Sequence, residues 1–188
     1  MIHEPFILAS SSPRRKELLD QAGLEFQVIP AEVDEAALEG ETPEAYVRRL
    51  ARTKAEKIGR GFSERLILAA DTIVVLESEI MGKPEDREDA ARMLTKLSGR
   101  VHRVITAYCL FRPDLNRMVE DQESTLVEFR KLSPAEIRGY IGSGEPMDKA
   151  GAYAIQGGGG SLTRRIEGSY TNVIGLPLAE VLERMRDF

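Results

Sequence analysis

Three places in the chain carry side chains whose types and spacing could do chemistry. The first is Ser10-Ser11-Ser12-Pro13-Arg14-Arg15-Lys16. A helix opening at Pro13 puts three cations at its positive end, where each acid would instead be favoured by roughly 0.3–1 kcal/mol. Such a cluster is locally unfavourable unless an anion sits there. Serine hydroxyls, free backbone N–H groups and guanidinium forks would then converge on one phosphate. The plain alternative is that the three side chains splay into water or pair with the acidic stretch 31–44. The second place is Lys54, a charge inside the apolar stripe Val47, Leu50, Ala51, Ala55 and Ile58. It either snorkels along its aliphatic stem or points into a cleft shared with the first helix. Arg48, Arg49 and Arg52 fall on other faces and are read as solvated. The third is Asp71, the only charge between Leu66 and Leu76. A carboxylate in an apolar β run is costly unless hydrogen-bonded, paired or metal-bound, which suits a general base or a metal ligand at a strand end. The alternative is a turn acid between two hairpin strands. Asp34 and Glu35, in the acidic stretch 31–44, offer a second carboxylate.

These residues need elements to hold them. Phe6 to Ala9 reads as a short strand, Ser12 as an N-cap, and Pro13 to Ala22 as a helix stopped by Gly23. Phe26 to Ile29 reads as a second strand, and Thr42-Pro43 opens a helix through about Ile58. Leu66 to Leu76 is one long strand or a bent pair. Gly82-Lys83-Pro84 makes a turn, and Asp86 caps a helix to about Leu97. Val101 to Phe111 and Met118 to Arg130 are expected strands. Ser133-Pro134-Ala135-Glu136 is a capping box that starts a helix to about Ile141. Residues 142–160 are glycine-rich and irregular, Ser161 to Ile166 and a segment near Val173 read as strands, and Pro177 starts a last helix. Strands and helices alternate, so an α/β or α+β fold with a mixed sheet follows.

Composition narrows the partners. The 188 residues include 26 Lys and Arg against 31 Asp and Glu, a net charge of −5 that argues against coating a nucleic-acid polymer. The cations are 19 Arg and 7 Lys, and the arginine excess is compatible with phosphate chemistry or with a compositional bias. No apolar run of about 18 residues predicts a membrane span. Met1 to Pro5 lacks the basic start and apolar core of a signal peptide, so a cytoplasmic location is expected. With one cysteine, Cys109, and two histidines, His3 and His102, neither a disulfide nor a zinc site is expected. Gly157 to Gly160 are followed by Ser161-Leu162-Thr163-Arg164, which is no P-loop, and a G-x-S-x-G elbow is missing.

Taken together, the segments resemble the Maf family of nucleoside triphosphate pyrophosphatases over nearly the whole chain. The likeness rests on Ile7-Leu8-Ala9-Ser10-Ser11-Ser12-Pro13-Arg14-Arg15, Ala69-Ala70-Asp71-Thr72, Gly82-Lys83-Pro84, Leu97-Ser98-Gly99, the run Asp148 to Gly157, and Gly168-Ser169-Tyr170 through Gly175-Leu176-Pro177. The resemblance implies a single domain over residues 1–188. It also implies an elongated two-lobed mixed-sheet α/β fold similar to inosine triphosphate pyrophosphatases, with the site in a cleft between lobes. It further implies hydrolysis of a triphosphate to monophosphate and pyrophosphate with a divalent metal, Mg²⁺ or Mn²⁺, in a homodimer with a house-cleaning role. Asp71 then matches the proton acceptor, and Ser10, Arg14, Arg15, Lys54 and Lys83 match residues around the triphosphate. Asp34 is the first choice as metal partner to Asp71, with neighbouring Glu35 the alternative. Arg14, Thr72 and Gln156 match the specificity positions of the dTTP/UTP-preferring branch, and a glutamine amide suits the O4 acceptor and N3–H donor of uracil or thymine. Two rivals remain: a nucleotide-binding regulator of cell division with little turnover, and a 7-methyl-GTP-type pyrophosphatase.

Overall fold

A computed structural model describes residues 5–188; His3 and the Met1–Glu4 stretch weighed above lie outside the described residues. The apolar run after Pro5 forms β1 (Phe6–Leu8), and Ser12 caps α1 (Pro13–Gln21) with Pro13 in its first turn, as the sequence predicts. β2 (Phe26–Val28) follows. Thr42 then caps α2 (Pro43–Gly59) by accepting from the Ala45 amide, and the α2 stripe Val47, Leu50, Ala51, Ala55 and Ile58 is buried. β3 (Ile67–Leu76) is one uninterrupted ten-residue strand, so the bent pair is excluded. Asp71 therefore stands mid-strand, neither at a strand end nor in a hairpin turn.

β4 (Glu79–Met81) folds back antiparallel on β3, a three-residue strand too short for period-two alternation to reveal. Asp86 caps α3 (Arg87–Leu97), whose Ala90, Met93, Leu94 and Leu97 are buried at helical spacing. β5 (Val101–Arg112) and β6 (Arg117–Phe129) are joined by a short 3₁₀ turn, and the predicted capping box opens α4 (Pro134–Gly142). Beyond it the chain makes short 3₁₀ turns at Glu145–Asp148, Ala150–Ala152 and Gly158–Leu162. Gly158–Leu162 takes the start of the strand expected from Ser161, and β7 begins at Thr163 (Thr163–Glu167).

The segment near Val173 is not a strand but α5 (Tyr170–Ile174). Ser169 overrides the β-branched side chains there: its hydroxyl accepts the Asn172 amide and its carbonyl the Val173 amide. Asn172, fully buried, donates to the Val104 carbonyl and the Thr125 hydroxyl. The chain closes with α6 (Leu178–Arg186). The sheet is mixed, in the order β2-β1-β3-β5-β6-β7 with β4 on β3; β1 is parallel to β2 and β3, while β6 and β7 are antiparallel.

The chain divides into two compact units. One holds the described residues through Thr72, Thr106–Glu123 and Gly175–Phe188. Its core joins β1, α1, α2 and the first half of β3, with Leu8, Leu19, Leu50 and Leu68 almost inaccessible. The other holds Ile73–Ile105 and Ser124–Ile174, with a core of Leu94, Leu97, Val127, Phe129 and Tyr153. No helix among the described residues is long and apolar enough to cross a membrane.

Candidate active site

In the first unit the middle of β3, the start of α1 and the buried face of α2 carry buried charges. Lys54 and Asp71 are only 8% and 9% exposed, so both count as buried charges. Lys54 Nζ lies 2.6 Å from Asp71 Oδ1 and 2.7 Å from Glu35 Oε1. Lys54 thus does not snorkel outward but bridges two carboxylates. Burial is the largest influence on Asp71 and holds its carboxyl above the usual carboxylate value; the charges of Lys54 and Arg15 and the Lys54 hydrogen bond only partly pull it back. A carboxylate with a raised proton affinity is a stronger base than an exposed one.

Arg15 is the one cation of the helix N-terminus that turns fully inward. Its Nε donates to the Gly175 carbonyl at 2.7 Å, Nη1 to the Ser10 hydroxyl at 3.1 Å and Nη2 to the Thr72 hydroxyl at 2.9 Å. Thr72 in turn shares a 2.9 Å hydrogen bond with Thr106. Gly175 presents its carbonyl from φ 132°, a backbone region that side-chain-bearing residues avoid. Burial lowers the guanidinium's proton affinity and the Asp71 charge opposes this. Lys16 behaves otherwise, pairing with Asp20 on the exposed face of α1. Arg14 is half-buried in the same turn.

Glu35 reaches Lys54 because α2 holds the loop that carries it. Tyr46 donates to the Glu35 carbonyl at 2.8 Å, Arg49 to the Ala36 carbonyl at 3.0 Å, and Lys57 to the Glu32 carbonyl. Arg49 also forms a two-pronged pair with Glu41, so the reading of Arg49 as merely solvated is corrected: the loop carbonyls and Glu41 recruit it. Asp34 instead accepts the Ala36 amide at 2.9 Å within its own loop. Of the two acids weighed as partner to Asp71, the structure brings Glu35 to Lys54.

Two carboxylates with hard oxygen donors are what Mg²⁺ or Mn²⁺ uses when phosphate oxygens complete its shell. Among the described residues no group of three or more His, Cys, Asp or Glu gathers for a metal. Asp71 and Glu35 are two such carboxylates, and both are bonded to Lys54.

A family model described as Maf-like protein matches residues 5–188. The chain belongs to the Maf-like family. A relative from Geotalea uraniireducens (strain Rf4), named dTTP/UTP pyrophosphatase, is 54% identical over 180 residues, covering 96% of this chain and 93% of its own. Another of that name, from Geobacter sp. (strain M21), is 50% identical over 186 residues, covering 99% and 96%. A solved HAM1 protein from Coxiella burnetii is similar in fold, with a TM-score of 0.54 at 16% identity over 98% of this chain and 99% of that one.

Of the remaining Maf motifs, those around Lys83, Ser98 and Gln156 lie in the second unit, while the last one runs from Gly168 in the second unit to Gly175-Leu176-Pro177 in the first. Lys83 is exposed in the turn after β4, and Gln156 is exposed in the bend after Ala154. The two motifs are tied together there, since the Gly151 amide donates to the Gly82 carbonyl at 3.0 Å. A groove of about 590 Å³ beside α3 and α4, with Ser98, Leu132 and Ile137 in its wall, involves none of the candidate residues. His102 is buried in this unit, its Nε2 2.8 Å from the Tyr153 hydroxyl. Cys109 is buried in the first unit, which pushes its thiol up to about 12 and leaves it unreactive. Residue-by-residue reading of the sequence missed Tyr46, Thr106 and the Gly175 carbonyl. A tyrosine and an arginine one turn into a helix that follows an acidic loop is the signal that points to Tyr46 and Arg49.

Proposed function

We propose that this protein hydrolyses dTTP and UTP to the monophosphate and pyrophosphate, the activity that its relatives' names state for them. One observation carries the reading: a buried Asp71 carboxylate of raised proton affinity, bonded to Lys54 in a Maf-like chain. Asp71 takes a proton from water as the water oxygen attacks the α-phosphorus, and the bond to the bridging oxygen breaks to release pyrophosphate. Lys54 holds Asp71 ionised and in place. Arg14, Lys54 and Lys83 offset the negative charge that grows on the leaving group, while Arg15 fixes the Ser10 and Thr72 hydroxyls beside it. Asp71 and Glu35, with Asp34 on the same loop, are the residues that would hold a divalent cation. When bound, Mg²⁺ or Mn²⁺ neutralises charge on the phosphate oxygens. Arg14, Thr72 and Gln156 discriminate the base, the Gln156 amide matching uracil or thymine. Residues 1–188 work as a single Maf-like domain, in a cytoplasmic homodimer with a house-cleaning role.

The test is pyrophosphate release from a panel of triphosphates with Mg²⁺ or Mn²⁺. UTP and dTTP are expected to lead. Asp71→Asn is expected to lose about 10²- to 10⁴-fold in turnover, the span of general-base catalysis, while still binding nucleotide. Wild-type binding without metal-dependent turnover would overturn the enzymatic reading in favour of a nucleotide-binding regulator. A preference for guanine nucleotides would overturn the substrate assignment.

A further inference from the structure

The four glycines at 157–160 look from sequence like a flexible turn, yet three of them, Gly157, Gly158 and Gly159, lie against one carboxylate. Glu145 Oε1 accepts the Tyr140 hydroxyl at 2.7 Å and the Gly159 amide at 3.2 Å, and Oε2 accepts the Gly158 amide at 2.9 Å. The Tyr140 hydroxyl in turn accepts the Ala154 amide at 3.1 Å. The bend from Ala154 to Gly158 is thus pinned at both ends by the same phenol–carboxylate pair, and exposed Gln156 sits between the pins.

Steric fit favours glycine at three of these positions, most firmly at 159 and 160, where the neighbour is backbone. A methyl group at 157 would come within 2.4 Å of Glu145 Oε2. One at 159 would lie 2.5 Å from the Ala154 carbonyl oxygen and 2.8 Å from the Tyr140 hydroxyl, and one at 160 would lie 2.8 Å from the Ile155 carbonyl oxygen. Burial alone would raise the Glu145 carboxyl, but the Tyr140 hydroxyl, the two amides and the Lys149 charge reverse this and hold it below the usual value. Glu145 is therefore an anion through the neutral range, accepting from three donors.

We propose that Glu145, anchored by Tyr140, is a positioning residue that sets the Ala154–Gly158 bend and so fixes the Gln156 amide for base recognition. The inference rests on the reading of Gln156 as a base-discriminating residue. Glu145 touches no reacting atom; it acts by pre-ordering the amide, which otherwise would have to be ordered at each binding event. Its loss belongs in KM and in discrimination between bases, not in the chemical step.

The experiment compares kcat and KM for UTP and CTP, whose 4-positions differ as acceptor and donor. Glu145→Gln, Tyr140→Phe and Gln156→Ala are measured alone, and the first is also combined with the third. Glu145→Gln keeps the shape but presents N–H groups to donors, and Tyr140→Phe removes only the anchoring hydroxyl. Each is expected to lower the UTP-over-CTP ratio of kcat/KM by about 10-fold, mostly through KM. In Gln156→Ala the same ratio collapses, and adding Glu145→Gln lowers it no further, because the second residue acts through the first. If Gln156→Ala leaves the ratio intact, the base-reading role of Gln156 fails. If Gln156→Ala collapses it while Tyr140→Phe and Glu145→Gln do not, the positioning role alone is overturned. Should Glu145→Gln fail to fold, Tyr140→Phe decides by itself, since its large apolar ring remains.

Discussion

The two units bury polar groups in opposite ways. In the first, Lys54, Asp71 and Arg15 are full charges taken out of water and carried on regular elements, two helices and a strand. In the second, His102 and Tyr153 are buried as neutral groups that share one hydrogen bond, inside a nest of edge-to-face ring contacts with Phe129. Burial pushes His102 down to about 4 with no charged partner to oppose it. A buried charge stays ionised only where an opposite charge is supplied, and the first unit supplies it by alternating sign from Arg15 to Asp71 to Lys54 to Glu35. Held charge of this kind suits phosphate chemistry. Uncharged packing suits a scaffold that holds its loops by shape and neutral hydrogen bonds.

The contrast breaks most severely at Lys54. Lys54→Met keeps a stem in the stripe of α2 but leaves Asp71 buried without its ion-pair partner. The expected cost is about 3 kcal/mol at neutral pH, read by urea denaturation. Two influences that lower the Asp71 carboxyl disappear together, the Lys54 charge and its hydrogen bond, so its proton affinity rises further. A carboxyl raised in the folded state favours protonation there. The deficit is therefore full above the raised folded value and shrinks as pH falls toward the ordinary carboxylate value. A cost below about 1 kcal/mol with no pH dependence would mean the pair is no more than a surface salt bridge.

That Lys54 and Asp71 stand out in the sequence follows from the same physics. Each is a charge that interrupts a regular apolar pattern, helical in one case and extended in the other, and periodicity exposes the interruption. The caps at Ser12, Thr42, Asp86 and Ser133 are legible because a side-chain oxygen must meet a free N–H a few residues on. Glu145 and Tyr140 are not legible this way, since besides each other their partners are backbone amides of later residues and a backbone amide has no letter in the sequence. Asn172 is hidden for a related reason. Its neighbours Val173 and Ile174 favour a strand, and the local Ser169 bonds together with the tertiary bonds to Val104 and Thr125 hold a helical turn there. Glu35 is reached through loop carbonyls held by Tyr46 and Arg49, again a backbone recognition that composition does not record.

A smaller effect is expected from the neutral side of the comparison. The folded His102 value of about 4 lies below its ordinary 6.5, so an unfolded chain takes up the proton first as pH falls. Stability from keeping His102 neutral is full above the ordinary value and is lost as pH drops through the interval down to about 4. The 2.5-unit gap corresponds to ~3 kcal/mol at most. His102→Phe removes this titration, at the cost of leaving the Tyr153 hydroxyl without its partner, a loss of about 1–3 kcal/mol that is present at every pH. Between pH 6.5 and 4 the variant's stability is therefore expected to fall less steeply than the wild type's. Parallel pH profiles would show that His102 is not kept neutral by the fold.

The smallest effect is expected where charge meets charge in water. Arg52 holds Glu120 through both guanidinium prongs, one at 2.8 Å, but the Arg52 side chain is 51% exposed. Solvent screens such a pair, and holding two long side chains in one geometry costs entropy that offsets the attraction. Glu120→Gln is expected to change stability by less than about 1 kcal/mol, and raising salt is expected to shrink even that. Both pairs are in direct hydrogen-bond contact, and both join α2 to a strand segment of the first unit. A tenfold salt increase that leaves the Lys54→Met deficit in place while erasing the Glu120→Gln one would locate the difference in burial, since screening ions reach the second pair and not the first. Equal salt sensitivity in both variants would place Asp71 in water, where its proton affinity would be that of any surface carboxylate.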